Sequence, residues 1–278
     1  MSHHPEVPDD HYRPTYEDIH QHIASTARQI RATFRPDLIV AIGGGGFFPA
    51  RVLRTFLKRN VGGDKLVNVP IQAIGLSLYE DLASDETNTS GPTAKGKIGL
   101  EVVRTQWLDA PKREGDDALT GGLLGKNILI VDEVDDSRTT LQYAYNELVS
   151  DVRKSLEALS PEQRAKVGPT RFAIFVVHNK LRNKKGTLPI VWSNHATVAP
   201  QPNETQAPAK LGPGEELVEK RNDGNGKVVE GLWYFAAETT GDIWVEYPWE
   251  QEDIEEHNRI AAVAKKLGVN TGAVESSS

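Results

Sequence analysis

Residues 128–148 read ILIVDEVDDSRTTLQYAYNEL, and this stretch decides the fold. Its first four residues are branched and apolar, which is typical of a short strand buried on both faces inside a parallel sheet. Four of the next five residues are carboxylates, and hydroxyls and a cation follow them. Apolar residues then return at helical spacing from Leu141 to Leu156, with Thr139 or Thr140 as the expected N-cap. The pattern predicts a strand that turns directly into a helix.

A strand that leads directly into a helix N-terminus forms an anion site, because the first-turn N–H groups have no partners and the helix dipole favours negative charge. Neighbouring carboxylates would repel a bound phosphate unless they have another task. The task consistent with that position is to accept hydrogen bonds from sugar hydroxyls and to hold a divalent cation. Phosphate, sugar diol and Mg²⁺ together indicate a ribose 5-phosphate.

The segment VDEVDDSRTT, residues 131–140, resembles the phosphoribosyl-pyrophosphate (PRPP) motif of type I phosphoribosyltransferases. The usual form is two acids, two apolar residues and then Asp-Thr-Gly-x-Thr. Here Asp135 stands at an apolar position, Ser137 replaces Thr and Arg138 replaces Gly. Because Gly in such a loop supplies positive φ or close backbone approach, Arg138 implies either a different loop path or an added charge near the phosphate.

The acidic segment fits neither a calcium loop nor a simple surface turn. An EF-hand needs an oxygen ligand at its third position and Gly at its sixth, where this chain has Val134 and Ser137. A solvated acidic turn leaves the hydroxyl run and the helix start unexplained. The chain contains no GxxxxGK[ST] pattern, so a P-loop is excluded.

Composition narrows the class of protein. The chain has 278 residues, 38% of them hydrophobic, and its segmentation favours one domain with insertions. A net charge of −7 without a basic block argues against nucleic acid as the main partner. Zero cysteines exclude disulfides and a thiolate nucleophile. No apolar run is long enough for a membrane, so we expect a cytoplasmic protein.

We expect three regions along the chain: a loose N-terminal segment at 1–14, a phosphoribosyltransferase domain at 15–260 and a C-terminal tail at 261–278. Within the domain we expect a flexible loop near 83–97 and a surface insertion near 193–231, both rich in polar residues. A Thr-x-x-Asp capping signal before apolar residues at helical spacing predicts an amphipathic helix over 15–33.

A second strand–loop–helix unit begins with DLIVAI, residues 37–42, and continues through four glycines into a helix. It lacks the GxGxxG spacing of a dinucleotide site. Gly44, Gly45 and Gly46 let backbone N–H groups approach an anion closely, and the resemblance implies that they hold pyrophosphate. A simple tight turn is the alternative.

The segments NVPIQAIGLSLYEDL, residues 68–82, and KIGLEVVRTQW, residues 97–107, predict two strands joined by a polar stretch, which together would form a flap. In the resembled family a flexible loop here closes over the reacting centre and excludes water. The resemblance places Ser77 and Tyr79 in this lid. Arg104 is a candidate pyrophosphate contact, with an exposed salt bridge as the alternative.

Two later segments carry the expected base site. The buried strand RFAIFVVHNK ends at Lys180, and in purine-using members a Lys from a matching strand end contacts the 6-oxo group; Lys184 and Lys185 leave the choice of lysine open. His178 is interpreted as a local structural residue. The segment WVEYPW, residues 244–249, resembles the base-binding segment, where Trp244 stacks on the purine and the backbone of Val245 reads its edge. Ordinary core aromatics are the alternative.

Six segments in the same order resemble the fungal xanthine and hypoxanthine-guanine phosphoribosyltransferases. The resemblance implies an α/β fold with a parallel sheet flanked by helices, a small hood subdomain, assembly as a homodimer, and transfer of 5-phosphoribose from PRPP to a 6-oxopurine. It makes Asp136 the base that accepts or orients the imidazole proton of the purine. Asp132 and Glu133 would hold the ribose hydroxyls, directly or through Mg²⁺. The 5′-phosphate contacts would be Asp136, Ser137, Arg138, Thr139 and Thr140.

Two alternatives stay open at this point. A PRPP- or purine-sensing regulator on the same fold would bind ligand without catalysis. A pyrimidine or orotate enzyme is disfavoured by the pairing of Lys180 with Trp244. The base preference among 6-oxopurines depends on one donor or acceptor near the stacking aromatic, which no spacing rule reveals.

Overall fold

The computed structural model describes residues 9–60, 65–79, 101–104, 122–194 and 228–269. Its strands are β1 (His11–Tyr12), β2 (Leu38–Gly43), β3 (Lys58–Asn60), β4 (Leu66–Asn68), β5 (Ile71–Tyr79), β6 (Glu101–Arg104), β7 (Asn127–Asp135), β8 (Thr170–Lys180), β9 (Ile190–Ser193), β10 (Val228–Thr240) and β11 (Trp244–Val245). Its helices are α1 (Tyr16–Thr33), α2 (Phe47–Phe56), α3 (Thr139–Glu157), α4 (Pro161–Lys166) and α5 (Ile254–Leu267), with a 3-10 turn at Pro248–Glu250.

The central sheet has seven strands in the order β6-β5-β2-β7-β8-β10-β9. All neighbours pair in parallel except β5 and β6. After β2, the chain adds β5 on one side of it. The chain then adds β7 on the other side of β2, followed in space by β8 and β10. The strand order therefore reverses between β2 and β7, and in open α/β sheets ligands bind at the carboxyl ends of the strands at such a point.

Both faces of this sheet are covered by helices. Val40 and Ile130 pack on the face that carries α3, whereas Ile39 and Leu129 pack on the face that carries α1 and α2. This alternation explains why the strands read as continuous apolar runs. The predicted α/β class, a parallel sheet flanked by helices, is confirmed.

Helix α1 begins where its capping signal predicted. Thr15 Oγ1 accepts a hydrogen bond from the Asp18 N–H at 3.2 Å, and the Thr15 N–H donates to Asp18 Oδ2 at 2.8 Å. These two bonds satisfy N–H groups that have no partner within the helix. The buried face of α1 includes Ile19, Ile23 and Ile30.

The two ends of the described chain lie together. Strand β1 pairs in parallel with β11, and Lys265 Nζ of α5 donates to both Asp18 carboxylate oxygens at 2.6 Å. The expectation of a loose segment over 1–14 does not hold for residues 9–14, because Tyr12 is buried in the core. The boundary expected at 260 falls inside α5, which continues to Leu267.

Parts of the other expected segments lie outside the described residues. The flexible loop near 83–97 is one of them, as are residues 195–227 of the insertion expected at 193–231. The edges of that insertion belong to the sheet, since Ser193 ends β9 and Val228 begins β10. Among the helices of the described ranges, none has both the length and the apolar character needed to cross a bilayer.

Candidate active site

A cavity of ≈ 340 Å³ lies at the carboxyl ends of β2 and β7, where the strand order reverses. Its walls come from the glycine turn after β2 and from the acidic loop that joins β7 to α3. The lining residues are Ile42, Gly43, Gly45, Asp132, Glu133, Val134, Asp135, Asp136, Ser137, Arg138, Thr140 and Leu141. The two strand–loop–helix units predicted to bind one ligand therefore meet in one pocket.

The loop between β7 and α3 has the backbone path expected of a glycine-containing motif. Arg138 has φ 67° and ψ −1°, the left-handed conformation that Gly adopts without cost. Arg138 is also the N-cap of α3, so the N-cap predicted at Thr139 or Thr140 is wrong by one or two residues. Its side chain makes no capping hydrogen bond, and the Thr139 N–H makes only a long hydrogen bond of 3.5 Å to Ser137 Oγ, so the first turn of the helix is open to an anion.

The Arg138 guanidinium is buried and bound to Asp135 rather than directed at the pocket. Arg138 Nε and Nη2 donate to Asp135 Oδ2 at 2.9 and 2.8 Å. The hydroxyl of Tyr234 donates to the same oxygen at 2.7 Å, and Asp135 is fully buried. The expectation that Arg138 adds a charge near the phosphate is thus not supported. Two of the three unusual residues of the motif, Asp135 and Arg138, therefore form a pair with each other.

Residues 184–186, which follow β8, pack against the loop between β7 and α3. Lys184 Nζ donates to the carbonyl oxygens of Asp135 and Asp136 at 2.5 and 2.9 Å, and the N–H of Gly186 donates to the Ser137 carbonyl at 3.0 Å. A side chain at Gly186 would overlap the carbonyl of Arg138. Burial lowers the pKa of Lys184, against the opposing effect of the Asp135 charge. Lys184 is therefore bound to the loop, both through these carbonyl oxygens and through Asp135 Oδ1 at 3.4 Å.

Asp132 and Glu133 form the acidic wall of the pocket. Burial raises the pKa of Asp132 well above its ordinary value, and the nearby charge of Glu133 raises it further. The Glu133 carboxylate lies against Gly45, where any side chain would overlap it. Glu133 Oε2 is buried and has no hydrogen-bond partner in the described part of the chain. Two crowded carboxylates with an unpaired oxygen fit a divalent cation.

Asp136 faces two cations. Its Oδ1 accepts a hydrogen bond from Arg182 Nη1 at 2.8 Å, and its Oδ2 lies 3.8 Å from Lys180 Nζ. Arg182 also lies 3.6 Å from Asp242. The Asp136 side chain is 42% exposed, so it remains accessible to a ligand. Arg182 was not identified from the sequence, because only the tertiary fold brings it to the acidic loop.

Lys180 connects Asp136 with an exposed aromatic ring. Its side chain is largely buried, and its Nζ lies 5.4 Å from the centre of the Trp244 ring, within cation–π range. Trp244 is 63% exposed, so the alternative that it is a core aromatic is wrong. Trp249 does pack among aromatics, stacked on Phe48 and Tyr247. Of the three lysines considered, Lys180 is the one placed beside the indole.

The remaining predicted residues lie on the strands around the pocket. Val245 is buried and pairs with Tyr12 across β11 and β1. Ser77 lies on β5 opposite Val103 of β6, and Arg104 ends β6, so the two predicted strands are neighbours and pair in antiparallel orientation. The chain that joins these strands lies outside the described residues.

His178 has partners far away in the chain, so its interpretation as a local structural residue is corrected. Its Nδ1 lies 2.8 Å from the Tyr247 hydroxyl and its Nε2 lies 3.1 Å from Glu238 Oε2. The Tyr247 hydroxyl donates to the Glu133 carbonyl at 3.1 Å. Burial lowers the pKa of His178, while Glu238 opposes that shift. This side-chain network connects the pocket wall to β10.

A parallel sheet with a glycine turn, an acidic strand end and an uncapped helix N-terminus at its reversal point defines a phosphoribosyl-binding α/β protein. Comparison with known proteins identifies the family within this class. The chain is 45% identical over 244 residues to hypoxanthine-guanine phosphoribosyltransferase of Schizosaccharomyces pombe, covering 88% of this chain and 91% of that protein. It is 40% identical over 253 residues to xanthine phosphoribosyltransferase 1 of Saccharomyces cerevisiae, covering 89% and 93%. The chain belongs to the family of hypoxanthine-guanine and xanthine phosphoribosyltransferases.

A solved structure extends the comparison to bacteria. A hypothetical protein from Neisseria gonorrhoeae with bound ppGpp shares 31% identity with this chain, with a TM-score of 0.56, and the match covers 94% of this chain and 99% of that one. No family model matches the chain. The resemblance inferred from the acidic motif and the segments around it is confirmed.

Proposed function

We propose that this enzyme transfers 5-phosphoribose from PRPP to a 6-oxopurine, forming the nucleoside 5′-monophosphate and pyrophosphate in purine salvage. One observation carries the proposal: the glycine turn and the acidic loop meet in one pocket, and Lys180 joins that pocket to the exposed Trp244. The names of its relatives indicate hypoxanthine, guanine and xanthine as the bases to consider. We further propose that it acts in the cytoplasm as a homodimer.

The phosphates of PRPP would bind at the two helix N-termini. We assign the 5′-phosphate to residues 136–140, whose hydroxyls and first-turn N–H groups surround the start of α3. We assign the pyrophosphate to Gly44, Gly45 and Gly46 and to Arg104. The N–H of Gly46 is already bonded to the Ile42 carbonyl, so Gly44 and Gly45 would supply the free backbone donors.

Asp132 and Glu133 would hold the ribose hydroxyls and Mg²⁺. The buried, unpartnered oxygen of Glu133 and the raised pKa of Asp132 support this role, because a cation relieves the repulsion between the two carboxylates. Bound Mg²⁺ would supply charge neutralisation for the departing pyrophosphate.

The purine would lie against Trp244, with the backbone of Val245 at its edge and Lys180 at its 6-oxo group. Asp136 would accept the imidazole proton, since its carboxylate is exposed and lies 3.8 Å from Lys180. No covalent nucleophile is required. Positioning and charge complementarity would provide most of the rate, and a lid that includes Ser77 and Tyr79 would exclude water.

The test is a substrate panel of xanthine, guanine, hypoxanthine, adenine and orotate, each with PRPP and Mg²⁺, with pyrophosphate release as the readout. We expect turnover with at least one 6-oxopurine and none with adenine or orotate. Binding of PRPP or purine without pyrophosphate release from any base would establish a sensing regulator instead. The compound ppGpp, bound by the Neisseria protein, belongs in the panel as a competitor because it carries a 6-oxopurine and diphosphate groups.

Replacing Trp244 with alanine should weaken purine binding by about 1–3 kcal/mol, the range for base–aromatic stacking, while PRPP binding changes little. The exposed indole contributes little to the core, so the variant should fold. Calorimetry with each ligand measures both effects, and Trp244→Phe is the conservative control that should retain part of the affinity. Equal loss of purine and PRPP affinity would argue against a stacking role.

Replacing Asp132 with asparagine should make stability less dependent on pH. Burial holds the pKa of Asp132 above its unfolded value of about 3.9. The folded chain therefore keeps a proton that the unfolded chain releases, and stability present below pH ~4 is lost as pH rises through the raised folded pKa. In Mg²⁺-free buffer the variant should melt at a higher temperature than the wild type at pH 8.

Thermal unfolding between pH 4 and pH 8 measures this effect. Glu162→Gln is the control, because Glu162 is a fully exposed carboxylate on α4 far from the pocket in sequence. If the wild type and Asp132→Asn lose the same amount of stability between pH 4 and pH 8, ionisation of Asp132 does not destabilise the fold.

A further inference from the structure

We propose that His22, His178 and Glu238 form a binding site for a zinc-type divalent ion, separate from the carboxylates of the active-site pocket. The three residues come from α1, β8 and β10, so rigid elements position each of them. Their ligand atoms lie within 4.8 Å of one another.

The spacing suits a tetrahedral ion. Glu238 Oε2 lies 3.1 Å from His178 Nε2 and 3.3 Å from His22 Nδ1. Zinc bonds of ~2.0–2.1 Å to nitrogen and oxygen place neighbouring tetrahedral ligands about 3.3 Å apart. These contacts therefore already have the separation of ligands that share one ion.

The hydrogen bonds around His178 determine which of its nitrogens carries a proton. The Glu133 carbonyl can only accept, so the Tyr247 hydroxyl donates to it at 3.1 Å. Tyr247 must then accept from His178 Nδ1 at 2.8 Å. In the neutral ring Nε2 is left with a lone pair, which faces a carboxylate oxygen of Glu238 at 3.1 Å. Two acceptors at this distance need a proton or a metal ion between them.

His22 brings a second imidazole nitrogen to the same carboxylate oxygen. Its Nδ1 is buried and makes no hydrogen bond within the described ranges, although Glu238 Oε2 lies 3.3 Å away. The Tyr12 hydroxyl donates to that same oxygen at 3.0 Å and fixes the carboxylate. One third of the His22 side chain is exposed, which provides a path for the ion to enter.

The donor set distinguishes this site from the Mg²⁺ site proposed above. Two imidazoles and one carboxylate favour zinc-type ions, whereas Mg²⁺ requires oxygen ligands. The second ring nitrogen of His178 donates to Tyr247, as metal-bound histidines commonly do to an outer partner. Through Tyr247 the ion would support the Glu133 backbone at the wall of the pocket.

The experiment is calorimetric titration of chelator-treated protein with Zn²⁺ in excess Mg²⁺, which occupies the oxygen site. His3→Ala and His4→Ala in every protein remove the N-terminal histidine pair as a competing ligand. We expect one Zn²⁺ per chain, and His22→Ala and Glu238→Gln should each weaken its binding by about 10-fold or more. His20→Ala, an exposed histidine on the same helix, should leave the affinity unchanged.

Two results would overturn the proposal. One is saturable Zn²⁺ binding that is equal in the His22→Ala variant and its parent. The other is a nitrogen NMR spectrum in which both His178 ring nitrogens stay protonated when Zn²⁺ is added, since a proton would then occupy the space between His178 and Glu238. A Zn²⁺-dependent loss of the Nε2 proton signal, or its absence from the start together with tight binding, would support the site.

Discussion

Replacing Asp136 with asparagine is expected to lower kcat by ~10²–10⁴-fold, the usual contribution of a positioned general base. Asparagine keeps an oxygen that can accept the Arg182 hydrogen bond now made at 2.8 Å, so the loop should hold its shape. PRPP should therefore bind with nearly unchanged affinity. Steady-state kinetics with saturating PRPP, together with calorimetric titration of PRPP, separates the lost proton transfer from lost binding.

The matched control is Asp242→Asn. Asp242 is the other carboxylate near Arg182, at 3.6 Å, and is more exposed than Asp136. The Asp242→Asn change removes a negative charge near Arg182 and keeps the proposed base. Turnover should therefore stay close to that of the wild type. Full turnover of Asp136→Asn would show that the base assignment is wrong.

Breaking the buried pair of Asp135 and Arg138 should have the largest effect on stability. Removing one partner of a buried ion pair typically costs about 3–5 kcal/mol, because the other charge remains buried without compensation. Asp135→Val and Arg138→Gly should each destabilise the fold by that amount in urea unfolding. Gly suits the left-handed backbone at position 138, so the Arg138→Gly change tests the charge pair rather than backbone strain.

The double variant Asp135→Val/Arg138→Gly provides the decisive comparison. It restores the apolar residue and the Gly of the usual PRPP motif and removes both members of the buried pair, although Lys184, 3.4 Å from Asp135 Oδ1, also loses its carboxylate partner. Its loss of stability should still be clearly smaller than the sum of the two single losses. Losses that simply add would mean that the two residues act independently. Asp135→Asn is expected to be costly for the same reason, because it removes the negative charge that pairs with Arg138.

The sequence predicted the parts of the structure that depend on neighbouring residues. The apolar run at 128–131 indicated a strand buried on both faces, and the Thr15 capping signal located the start of α1. Both follow from local periodicity and backbone hydrogen bonding, which short spacings encode. The loop backbone at Arg138 also follows from the motif, which places Gly at this position.

Contacts between residues far apart in the sequence could not be predicted from such local patterns. The partner of Asp136, Arg182, lies 46 residues later, and Tyr12 and Glu238 are 226 residues apart. No spacing rule connects such positions, since only the sheet order brings them together. The sequence also did not reveal that Arg138 pairs with Asp135. The burial of this pair depends on residues from other parts of the fold that cover the loop.

The segment from Lys180 to Gly186 reaches both halves of the proposed site. Lys180 lies beside Trp244, Arg182 binds Asp136, and Lys184 and Gly186 hold the loop that precedes α3. We therefore expect a ligand that moves this loop to act also on the lysine at the base side. Binding of phosphate and of purine should then be cooperative, and thermodynamic reciprocity requires each ligand to change the affinity of the other by the same factor.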